Sequence, residues 1–142
     1  MRGEFAFAVK AVIIKDDKFL VLKRSKSEMN SSYINKHQCW DLPGGSVKYC
    51  ETAIHALLRE IEEETGLNIS VGRILNVYDA IRTNIHMVII TYICTYLSGN
   101  VRLSNEHEAF YWLNIDEMRD KRLPDWMVNN FKKALREIQG QA

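Results

Sequence analysis

Apolar residues run almost unbroken from Phe5 to Ile14, with only Lys10 interrupting, and this reads as a β-strand. Asp16-Asp17 is a turn, and Lys18 to Lys23 returns as a second strand, so the pair forms a hairpin. Ser25 to His37 is rich in Ser, Asn and Lys and reads as a loop or broken helix. Cys39 to Leu42 is a short strand, cut by Pro43-Gly44-Gly45. From Thr52 to Thr65 the period changes. Ala53, Ile54, Ala56, Leu57, Leu58 and Ile61 form a helical stripe, and Gly66 is its C-cap. Val71 to Ile81 and Met87 to Leu97 are longer strands, Ser98-Gly99-Asn100 a turn, and Ala109 to Leu113 a short strand. Asp125 to Gln139 carries Trp126, Met127, Val128, Phe131, Leu135 and Ile138 as a second helix. The pattern predicts an α/β or α+β arrangement: a mixed sheet whose faces bury the two helical stripes.

A chain of 142 residues, 46% hydrophobic and 26% charged, is expected to form one globular domain over residues 1–142. Nineteen basic and 18 acidic residues leave a net charge of +1, which supplies no basic face for nucleic acid. Any phosphate recognition must then be local. Cys39, Cys50 and Cys94 are odd in number and contain no CxxC, so reduced thiols and a cytoplasmic setting are expected. No window approaches the roughly 20 apolar residues of a membrane span. Lys10 and Lys15-Asp16-Asp17 break the N-terminal run, which reads as a strand and not as a signal peptide.

Candidate chemistry concentrates in the first helix. Glu60, Glu63 and Glu64 stand at i, i+3 and i+4, a spacing that puts residues on one helix face. Alone, such a run is more often a solvated face. Gathered carboxylates otherwise want a cation, and hard divalent ions take oxygen ligands while holding substrate phosphates. The surrounding stretch reads Gly45-x5-Glu51-x7-Arg59-Glu60-Ile61-x-Glu63-Glu64-x-Gly66-Leu67, preceded by Trp40-Asp41-Leu42-Pro43-Gly44. It resembles the Nudix box, the signature of hydrolases that cleave a nucleoside diphosphate linked to a further group. Looser similarity to the small MutT-type members extends from about Phe5 to Ile138.

The resemblance implies a Nudix-type α/β/α sandwich with a central mixed sheet and Mg2+, or Mn2+, as cofactor. It implies metal ligation by Glu60, Glu63, Glu64 and the carbonyl of Gly44, with Glu60 as ligand or base. Arg59 can fork onto Glu63, Glu51 braces the loop at the helix start, Gly45 and Gly66 frame the box, and Glu62 is solvated. The family's further glutamate, ahead of a Trp-containing strand, falls on Glu106, with Glu108 as runner-up; His107 reads as loop packing. His37, His55 and His86 read as structural or solvated. Arg24 occupies the place of a phosphate-contacting arginine, or is an exposed strand-end charge. Asp125 and Trp126 either read and stack a base, or serve as helix N-cap and core. Phe5 and Phe7 would line the same cleft.

The ADP-ribose-type proline expected about 16 residues past the box is absent, since Arg82-Thr83-Asn84 stands there. A nucleoside triphosphate, cleaved to monophosphate and pyrophosphate, is the expected substrate. The alternative is a nucleotide-binding sensor without turnover. Expected partners are thus a small-molecule nucleotide, with neither nucleic acid nor membrane, and a homodimer built on exposed strand ends and the Trp126/Phe131 helix.

Overall fold

The computed structural model describes residues 3–31 and 39–140. Its elements are β1 (Glu4–Lys15), β2 (Lys18–Arg24), α1 (Lys26–Ser31), β3 (Trp40–Asp41), β4 (Gly44–Ser46), α2 (Ala53–Thr65), β5 (Asn68–Arg82), β6 (Ile85–Ser98), β7 (His107–Leu113), α3 (Ile115–Asp120) and α4 (Asp125–Gln139). The expected hairpin turn is present, with Asp16 and Asp17 at φ of 49° and 65°. Both residues lie in the left-handed region that a two-residue type I′ turn requires. The polar stretch ahead of β3 begins as the short α1; His37 lies outside the described residues.

The sheet runs β3-β2-β1-β6-β5, with β7 on β2 and β4 on β1. β1 is parallel to β6 and antiparallel to its other neighbours. It also changes partner along its length. Ile14 and Lys15 pair with β2, whereas Ala8, Val9 and Lys10 pair with Ser46, Gly45 and Gly44 of β4. The sheet therefore splits beside the Gly44-Gly45 turn.

Strand alternation explains the two cores. Val9, Ala11, Ile13, Leu20 and Leu22 pack with Ala56, Leu57 and Ile61 of α2. Val12, Phe19 and Val21 point the other way and pack with Met127, Val128 and Phe131 of α4. The result is the α/β/α sandwich with a mixed sheet. Phe131, named with Trp126 for a dimer contact, is fully buried and belongs to the core. α4 covers only one end of its sheet face. At the other end Ala8, Ala80 and Ile89 form a small separate cluster beneath an open cleft. Two elements were not expected from the pattern. α3 has six residues, too few to show a period, and rests on a capping box between Asn114 and Glu117. β4 is built around two glycines, a composition that argues against a strand.

Candidate active site

α2 begins at Thr52, whose side chain accepts the His55 N–H at 3.1 Å, and ends at Gly66, left-handed at φ 73°. Between these caps the three box carboxylates diverge. At about 100° per residue, Glu60 lies between Glu63 and Glu64, which flank it on opposite sides. Glu64 falls on the stripe of Leu57 and Ile61 and is buried, whereas Glu63 is exposed. The expected common face is thus a gradient from solvent to core.

Gly44 and Gly45 meet this gradient. Gly44 sits at φ 147°, and a Cβ there would lie 2.0 Å from the Val9 carbonyl oxygen, so only glycine lets β4 close on β1. Its N–H donates to Glu64 Oε1 at 2.9 Å. A Cβ on Gly45 would come within 2.5 Å of the Glu60 carboxyl carbon, so the missing side chain makes room for that carboxylate.

Arg59 gathers the other acids. Its Nε and Nη2 fork onto the Glu51 carboxylate at 2.7 and 3.0 Å. Nη1 reaches Glu60 at 2.9 Å and Glu63 at 3.3 Å, and Nη2 also reaches the Ser46 carbonyl. The fork therefore belongs to Glu51 and not to Glu63. Glu51 also accepts the Lys48 N–H, which ties the loop to the helix start. The Arg59 fork and the Lys48 amide hold its carboxyl down to about 2.

Glu64 is the opposite case. Burial pushes its carboxyl up to about 9, Lys10 and the Gly44 amide pull it back, and Asp41 and Glu106 push it further. Ligand atoms of Glu64, Glu106 and His107 lie within 4.8 Å of one another. Of the two loop glutamates, Glu106 is the one that lies in this cluster. His107, expected as loop packing, joins the cluster instead. It is 5% exposed, and its Nε2 lies 3.0 Å from Asp41 Oδ2. The β2–β7 pairing explains the placement. Lys23 opposes Ala109 but Arg24 opposes His107, so Glu108 is the extra residue of a bulge. Bulges re-aim side chains beside active sites. This one leaves Glu108 exposed and turns His107 inward. The Ser25 N–H donates to the Glu106 carbonyl and ties this loop to the end of β2.

Asp41 is the hub of this buried network. Its Oδ1 accepts from Lys10 Nζ and Arg24 Nη2, each at 3.2 Å, while Oδ2 faces His107. Burial alone would raise this carboxyl, but Lys10, His107 and Arg24 hold it well below the usual range. Burial opposes the Lys10 charge in the same way, and Asp41 and Glu64 outweigh it. Lys10 also donates to the Leu42 carbonyl at 3.0 Å. Arg24 is only 6% exposed, so it is not a strand-end charge in solvent. Lys10 and Asp41 were missed as site residues. Their signal was a lysine inside an otherwise apolar strand, since a buried amine needs a partner.

The cleft beside this network has a volume of about 500 Å3. It is lined by Asn76, Tyr78, Asp79, Ala80, Arg82, Ile89, Trp126 and Asn130. Burial raises the Tyr78 phenol, and its next influences are Lys10, Asp41 and Arg24, which places the cleft next to the charged hub. Trp126 is 46% exposed, a cleft wall and not core. Asp125 is exposed and outside the lining; the N-cap of α4 is Pro124, without a side-chain bond. Phe5 and Phe7 share the parity of Val9 and so lie on the α2 face, away from the cleft.

The donor set suits a divalent cation. Glu64 and Glu106 offer oxygens, a buried carboxyl raised to about 9 is stable as an anion only beside added positive charge, and His107 Nδ1 is buried without a partner. Such an orphan costs about 1–3 kcal/mol when nothing binds it.

The NUDIX domain model matches residues 4–136. An ADP-ribose pyrophosphatase of Methanocaldococcus jannaschii is 32% identical over 130 residues, covering 86% of this chain and 73% of that protein. An 8-oxo-dGTP diphosphatase of Buchnera aphidicola is 28% identical over 113 residues, covering 80% of each. The crystal structure of a MutT protein from Methanosarcina mazei Go1 superposes with a TM-score of 0.77 at 29% identity, covering 96% of this chain and 97% of that one. A match over nearly the whole chain, whose motif residues meet at one glycine turn, leads to one assignment: the chain belongs to the Nudix hydrolase family and is a pyrophosphohydrolase.

Proposed function

We propose that this protein is a divalent-cation-dependent nucleotide pyrophosphohydrolase that converts a nucleoside triphosphate to monophosphate and pyrophosphate. The observation that carries the reading is the adjacency of two features. One is the Glu64–Glu106–His107 cluster at the Gly44 turn, and the other is a half-apolar cleft walled by Trp126 and Tyr78. Glu64 and Glu106, with Glu60 and Glu63 beside them and the Gly44 carbonyl at the turn, would hold the cation. When bound, it supplies charge neutralisation on the anhydride oxygens and a more acidic attacking water.

The chain's own residues do the rest. Trp126 and Tyr78 take the base, and Lys10, pinned by Asp41 and the Leu42 carbonyl, presents a fixed positive charge between cleft and cluster. Arg59 keeps Glu60 and Glu63 from repelling one another. With the nucleoside at the far end, an inner phosphorus lies nearest the carboxylates and pyrophosphate leaves. Incubation of a triphosphate panel in 18-O water with Mg2+ tests this. Monophosphate plus pyrophosphate is expected, and diphosphate plus inorganic phosphate would overturn it. Unchanged turnover in excess chelator would remove the cation from the mechanism. ADP-ribose is the second reading, favoured by the Methanocaldococcus relative, and its place in the same panel decides between them.

A further inference from the structure

We propose that His107 is a nitrogen ligand to the divalent cation, so that the site favours imidazole-binding metals such as Co2+ over Mg2+. This rests on the cation reading above. Three observations converge on it. A ring nitrogen of His107 lies within 4.8 Å of carboxylate oxygens of both Glu64 and Glu106. The ring is buried, and Nδ1 has no hydrogen-bond partner. Nε2 is held by Asp41, whose other oxygen takes both Lys10 and Arg24.

The last contact determines the tautomer. A carboxylate flanked by two cations is an acceptor, so Nε2 carries the proton and the lone pair is left on Nδ1. A carboxylate that fixes one ring nitrogen so that the other can bind a metal is a recurring second-sphere arrangement. The bulge at Glu108 is then part of the site, because it sets His107 into the cluster instead of onto the sheet surface. Imidazole suits Co2+ and Zn2+ better than Mg2+, which keeps to oxygen.

Pulsed EPR of the Mn2+-loaded protein reads the ligand directly. Directly bound 14N is expected in the wild type and in His86→Gln, a change at a half-buried histidine bonded to Asp79, and is expected to vanish in His107→Gln. Calorimetry should show Co2+ affinity falling about 10–100-fold in His107→Gln while Mg2+ affinity moves by less than about threefold. Should that variant not fold, substoichiometric Mn2+ on the wild type must broaden the His107 ring resonances before those of His55 and His86. Mn2+ bound without nitrogen coupling, coupling that survives in His107→Gln, or uniform broadening overturns the ligand assignment and leaves the hydrolase reading standing. No Mn2+ binding at all overturns both.

Discussion

Two carboxylate environments share helix α2, and the protein completes only one of them. Around Arg59, the acids Glu51, Glu60 and Glu63 are each within 3.3 Å of a guanidinium nitrogen, and Glu51 has the backbone of Lys48 as well. One turn further on, Glu64 is sealed under the Gly44 turn with a backbone amide for a partner and Glu106 for a neighbour. Glu51 is lowered in pKa and Glu64 is raised. A carboxylate completed by the protein serves structure. One left short of positive charge is a site that awaits it.

Substituting each member of the pair separates the two roles. Glu64→Gln keeps the shape and the Gly44 contact while removing the charge. Turnover should fall by about 10^2–10^3, the usual cost of losing such electrostatic stabilisation. Thermal stability of the metal-free protein should hold or rise, because the amide is already neutral and folding no longer has to take up a proton at this buried position. Glu51→Gln should do the reverse, lowering the melting temperature through loss of the Arg59 fork while leaving substrate KM near wild type. Parallel kcat and calorimetric measurements on the two variants check this. Equal losses of rate and stability in both would show that the environments are not distinct.

A smaller effect belongs to the cleft. Trp126→Ala removes an exposed aromatic wall and no core packing. Base–aromatic stacking is worth about 1–3 kcal/mol, so KM should rise by about 5–150-fold with kcat nearly constant. A fall in kcat alone would place the base elsewhere.

How far the sequence foretold this arrangement depends on how local each cause is. α2 and α4 were legible because a 3.6-residue stripe and the Gly66 cap lie within a few positions of one another. The α/β/α layering followed from two such stripes and a set of strands, with the family resemblance choosing among topologies. The carboxylate set was legible as a motif, but not its division. Whether Glu63 or Glu64 is buried depends on which flank of the helix meets β4, and that is decided by a glycine twenty positions away. The Asp41 hub was illegible for the same reason, since its partners Lys10 and His107 lie 31 and 66 positions off. His107 was hidden further by the bulge, which inverts the facing that simple alternation gives.

The smallest expected effect is in stability against pH, and its sign differs between the two environments. The carboxyl of Glu51 is held at about 2 against an ordinary 4.5. Its stabilisation is therefore complete above about pH 4.5 and is lost as pH falls toward 2. The carboxyl of Glu64 is raised from 4.5 to about 9 in the metal-free protein, so the folded state holds a proton that the unfolded state releases. Its contribution is complete below about pH 4.5 and is lost as pH rises through 9. In chelator, the melting temperature of the wild type should thus decline between pH 5 and 9 relative to Glu64→Gln. An added divalent cation should remove most of that decline, because it replaces the proton as the positive partner. Glu51→Gln should lower the melting temperature throughout the range above about pH 4.5, with the difference from wild type closing as pH falls toward 2. Superimposable wild-type and Glu64→Gln curves in chelator would mean that Glu64 is already charged and compensated in the metal-free fold, and the contrast within α2 would then vanish.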